Sequence, residues 1–113
     1  MNSERHKEDG PDTIRLLPWT GPEGKPCYVL GDGNGYVSRM ADDIEGIQLG
    51  MAGDLLGHAA GLLADRKVTG PEIHFLARRL TESLREVKRV AESRGARLAR
   101  VEAAPAVAHA LDE

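Results

Sequence analysis

One cysteine, Cys27, leaves this 113-residue chain no intramolecular disulfide and no Cys-rich zinc site. Aromatic residues make up only 4%, so Leu, Ile, Val, Met and Ala must supply the core. No apolar run approaches the roughly 18 residues that a membrane span needs. The first nine residues are charged and carry no apolar stretch of the kind a secretory leader needs, which points to a cytoplasmic protein. No internal repeat is visible. What remains is 41% hydrophobic, 29% charged and formally −3, the composition of one soluble globular domain. Thirteen glycines and six prolines exceed what a tightly packed helical bundle usually carries.

The motifs of common chemistries are missing too. The loop Gly31-Asp32-Gly33-Asn34-Gly35 lacks the Lys-Ser/Thr ending of a phosphate loop and the G-x-G-x-x-G spacing. Its Asp32 and Asn34 alternate like the start of a calcium loop, but Asp43 stands where the twelfth-position Glu belongs. The four histidines, His6, His58, His74 and His109, fall in no H-x₃-H or H-E-x-x-H array, so no metal site is written locally. Asp54 and His58 sit four apart and could pair on one helical face, yet no nucleophile completes a catalytic set. Cys27 lies in a strand-like run and reads as a small core residue. The sequence therefore predicts no enzyme, no cofactor and no metal.

Along the chain, residues 1–12 lack apolar periodicity and read as a disordered lead-in. Residues 13–19 and 25–30 are strand-like and flank the turn cluster at 20–24. The Asp-Gly and Asn-Gly pairs at 31–35 predict a second hairpin turn leading to a third short strand at 36–39. Pro18 and Pro26 suit edge positions. Asp42, with Glu45 three residues on, predicts a helix start, and that helix runs to about Asp65. Thr69-Gly70-Pro71-Glu72 is a capping box opening a second helix that ends near Arg94, with Gly95 as its stop. Residues 96–113, rich in Ala and interrupted by Pro105, read as a flexible tail. The expected fold is α+β: an antiparallel meander of two or three strands, then a two-helix antiparallel hairpin, over residues 13–95.

At about 100° per residue, Ile73, Leu76, Leu80, Leu84, Val87 and Ala91 fall in one arc of the second helix. Apolar residues of the first, among them Ile44, Ile47, Met51, Leu55, Leu56, Ala59, Leu62 and Leu63, spread over about half its circumference. Gly46, Gly50, Gly53, Gly57 and Gly61 gather on the other side. Interior helix glycines cost about 0.8–1 kcal/mol each relative to alanine, so the stripe reads as a partner interface allowing close backbone approach. Two shorter helices broken near Gly50 or Gly57 are the alternative.

Charge is segregated. Residues 1–65 hold five Lys/Arg against eleven Asp/Glu, and residues 66–100 hold ten against four. Arg78, Arg85, Arg89 and Arg94 on the second helix are candidates for nucleic-acid phosphates. Glu82, Glu86 and Glu92 interrupt that face, and nothing resembles a helix-turn-helix turn.

Two stretches, Arg15-Leu16-Leu17-Pro18-Trp19-Thr20-Gly21-Pro22-Glu23-Gly24-Lys25-Pro26-Cys27-Tyr28 and Ala41-Asp42-Asp43-Ile44-Glu45-Gly46-Ile47-Gln48-Leu49-Gly50, resemble a group of small actinobacterial (streptomycete-type) proteins that accompany helix-turn-helix regulators. The likeness covers about residues 13–97. It implies a regulatory neighbourhood and a cytoplasmic address, with no catalytic residue to carry over. So small a core makes a lone unit marginal, and association is a usual remedy. The function expected from the sequence is protein–protein interaction as a homodimer or with a protein partner, as a regulatory accessory; nucleic-acid binding is the alternative.

Overall fold

The computed structural model describes residues 13–31 and 35–112. Two antiparallel strands, β1 (Thr13–Thr20) and β2 (Pro26–Gly31), precede two helices, α1 (Tyr36–Ala64) and α2 (Gly70–Asp112). The fold is α+β with a helical hairpin, as the sequence predicts. The expected lead-in at 1–12 lies outside the described residues.

The strands pair from Thr13 opposite Gly31 to Leu16 opposite Tyr28, and again at Thr20 opposite Pro26. Between Leu16 and Thr20 the register shifts, so β1 carries extra residues there. Pro18, which has no N–H to donate, occupies that irregular stretch and is buried. The turn closes with Gly21 N–H donating to the Lys25 carbonyl at 2.7 Å. Glu23 (φ 62°) and Gly24 (φ 75°) are both left-handed, a conformation that glycine adopts freely and glutamate does not.

No third strand forms among the described residues. Residues 36–39 are the first turn of α1, and the glycine-rich loop joins a strand to a helix rather than two strands. Asp42 is not a cap; Gly35 holds that position with extended backbone. The strand preference of Tyr36 and Val37 yields because Ser38 and Ala41 bury their side chains inside the fold. The α1 helix runs unbroken through all five interior glycines, which removes the two-helix alternative.

Asp65 ends α1, its N–H bonded to the Leu62 carbonyl at 3.2 Å. The capping box then forms as expected. Glu72 accepts from Thr69 N–H at 2.8 Å, while Thr69 Oγ1 accepts from Glu72 N–H at 3.3 Å. Thr69→Ala should cost about 0.5–2 kcal/mol, read as a lower urea midpoint, and Thr69→Ser should retain most of it.

Gly95 does not stop α2, which continues to Asp112 through Pro105. Ser93, Arg97 and Arg100, on either side of Gly95, bond to other parts of the chain and hold the helix in place. Residues 96–102 are therefore helical, against the tail expected from their composition.

The helices meet along a narrow seam. Its positions are Ala41, Glu45, Gln48, Ala52, Leu55, Ala59 and Leu62 on α1, facing Ile73, Leu76, Leu80, Ser83, Val87 and Val90 on α2. Steps alternate three and four residues on both, the spacing of interlocked helices. This seam is rotated from the expected arcs. Leu84 and Ala91 of α2, and Ile47, Met51, Leu56 and Leu63 of α1, are exposed, while Val90 and Ser93 are buried. Three alanines stand among the α1 seam positions, and each apolar arc is covered on one flank only.

Candidate partner interface

The β-hairpin lies on one side of the helical pair, and α2 caps the outer edge of β1. Arg89, Ser93 and Arg100 donate to the carbonyls of Pro18, Leu16 and Ile14 at 3.2, 2.8 and 2.9 Å. Gln48 of α1 adds a second donor to Pro18 at 3.0 Å. Unpaired strand carbonyls are thus satisfied by side chains, which fixes β1 along the helices.

Beneath β1 an ion cluster ties the three elements together. Arg15, 5% exposed, donates to the Ser38 carbonyl at 2.9 Å and to Asp42 Oδ1 at 2.7 Å. Its Nη2 also lies 3.2 Å from Oε2 of Glu45, which is 1% exposed. The other oxygen of Glu45 takes Arg94 at 3.2 Å and Arg97 at 3.7 Å. Arg97 also donates to Ser93 Oγ. Burial and the Arg15 charge lower the Arg97 pKa, while Glu45 and Asp42 raise it. The guanidinium stays charged at any ordinary pH. Buried charges need partners, and sliding α2 by one turn would take Arg94 away from Glu45. The cluster ties α2 to α1 and to β1. Sequence reasoning missed it, although Arg15 between two apolar strand residues was a visible signal.

Of the four arginines considered for nucleic acid, Arg89 and Arg94 are spent on Pro18 and Glu45. Arg78 and Arg85 are exposed and share a shallow surface with Glu82. Asp54 and His58 line an open cleft with Met51, Leu55, Arg79, Glu82, Ser83 and Glu86, next to the hairpin. No hydrogen bond joins Asp54 to His58 among the described residues, and no group of three or more His, Cys, Asp or Glu there could hold a metal ion. Cys27 is a half-buried free thiol beside Gly21 rather than a core residue.

The other side of the helical pair is different in kind. At about 100° per residue from the seam, Leu49, Leu56 and Leu63 line one flank of α1 at seven-residue intervals. Leu84, Ala91 and Leu98 repeat at the same interval on the matching flank of α2. Leu56 is 65%, Leu63 71% and Leu84 67% exposed. Ala77 extends the Leu84 row, and Ala60 and Gly95 lie on the outer side of the two rows, all three exposed and uncharged. Lys88 sits at the rim, paired with Glu92 at 2.6 Å.

The sequence matches no family model, no curated protein and no solved structure.

The five glycines relate to this face unequally. A Cβ added at Gly46, Gly50, Gly53, Gly57 or Gly61 would meet nothing within 4 Å. None is a contact with the described part of its own chain. Gly46 and Gly53 border the leucine row, whereas Gly50, Gly57 and Gly61 turn to the back of α1, away from α2.

Proposed function

We propose that this is a non-enzymatic protein–protein interaction module, a regulatory accessory that works by burying the leucine face of its helical hairpin against protein. The observation that carries this reading is the uncharged apolar strip along both helices, opposite the β-hairpin. Scattered exposed leucines are ordinary, but a contiguous apolar face this long marks an interaction site. The resemblance to proteins that accompany helix-turn-helix regulators supports the regulatory part and a cytoplasmic setting. No helix among the described residues is long and apolar enough to cross a membrane, so the face is not read as a span. A nucleic-acid reading loses Arg89 and Arg94 to internal bonds.

A photo-crosslinking residue at Leu56 or Leu84, introduced in the native host, tests the reading. It should give discrete protein adducts, while the same residue at Arg85 should give few. Absence of adducts from both leucine positions would refute the interface.

A further inference from the structure

We infer that the partner on this face is a second copy of the same chain, two helical hairpins packing as a four-helix bundle with a β-hairpin on each outer side. The inference rests on the preceding reading that the face binds protein, and it names the protein. Periodicity is the first argument. Both helices keep a second seven-residue apolar row beside the seam they already use, and that is the repeat a facing helix demands. An extended peptide or a flat surface would not require it of both.

Charge is the second. A two-fold contact sets one surface against itself, so any charge near its centre meets its own sign. From Gly46 to Leu63 the two rows on this flank of α1 carry no charge, nor does the row Ala77, Leu84, Ala91 and Leu98 of α2; the outer row of α2, His74, Thr81, Lys88 and Gly95, holds one lysine, paired with Glu92 of its own helix. The opposite side, with Asp54, His58, Arg79, Glu82 and Glu86, has no such property. Size is the third. This stretch is about 27 Å long on α1 (Gly46–Leu63) and about 39 Å on α2 (Ile73–Leu98), and two helices abreast present a strip about 20 Å wide. That is roughly 500–800 Å² per protomer, reaching the lower range of a standard stable interface.

The chain's own lead-in is a poor occupant. Residues 1–12 include Glu4, Arg5, Lys7, Glu8 and Asp9, have no apolar side chain beyond Met1 and Pro11, and join a strand on the opposite side. Gly46, Gly53 and Ala60 run beside the leucine row, leaving space in which leucines of a second copy can seat.

The test is the light-scattering mass of the full chain at micromolar concentration. Twice the 12.2 kDa of one chain is expected. Leu56→Glu and Leu84→Glu should each halve the mass with the helical circular dichroism retained, and Arg78→Glu should leave it doubled. Leu56→Asn carries the same expectation should the glutamate variants not fold. A one-chain mass for the unaltered protein overturns the inference; together with crosslinked adducts of a different protein, it leaves the interface reading standing. A doubled mass that survives both leucine substitutions places the contact elsewhere and overturns the inference as well.

Discussion

Glu45→Ala should be the most damaging single substitution in the helical hairpin, costing about 3–5 kcal/mol of a total that is typically about 5–15. The carboxylate is 1% exposed and faces Arg15, Arg94 and Arg97. Its removal leaves Arg15, itself buried, with Asp42 as its one remaining anion among the described residues. Glu45→Gln keeps the volume and loses the charge, so it should fall short of the alanine variant but remain clearly destabilising. Arg97→Ala should cost less, because that side chain is partly open to solvent. Urea midpoints of the three variants order these effects. A Glu45→Ala protein as stable as the parent would show that the cluster does not hold the three elements together.

The glycines of α1 should divide by position. Gly50 and Gly61 face the back of the helix, so Gly50→Ala and Gly61→Ala should each stabilise by about 0.4–1 kcal/mol through helix propensity and reduced unfolded-chain entropy. Gly53 borders the leucine row. In an isolated chain a Cβ there meets nothing within 4 Å, and leucine at this exposed position would also stabilise. Against a second copy it meets an occupied surface, where overpacking typically costs about 1–3 kcal/mol. Gly53→Leu should therefore lower the thermal midpoint and the assembled mass together. The sign at Gly53, opposite to that at Gly50, separates an occupied face from a bare one.

Local signals carry over from sequence to structure. The Thr69–Glu72 capping box and the Gly21–Lys25 turn depend on neighbours a few residues away, and both form as their residues predict. Features settled by distant contacts do not. Tyr36-Val37 resembles a strand, but Arg15, more than twenty residues earlier, bonds the Ser38 carbonyl in the first turn of α1. Gly95 resembles a helix stop, but Arg97 and Arg100 anchor the turns beyond it to Glu45 and Ile14. An amphipathic arc says which residues avoid water, not which neighbour covers each flank. Leu56, Leu63 and Leu84 therefore look like core in the sequence, although the helices use alanines and Glu45 for much of their seam. The five glycines look like an interface in the sequence; the structure sets Gly46 and Gly53 beside the exposed leucine row and leaves open space at all five.

If a second copy completes this fold, the thermal midpoint must depend on protein concentration. Unfolding coupled to dissociation moves by mass action, so the midpoint of the unaltered chain should climb steadily as concentration is raised. In Leu56→Glu the dependence should vanish and the midpoint should fall below that of the parent. A cooperative parent midpoint that stays constant across the full concentration range would contradict the account.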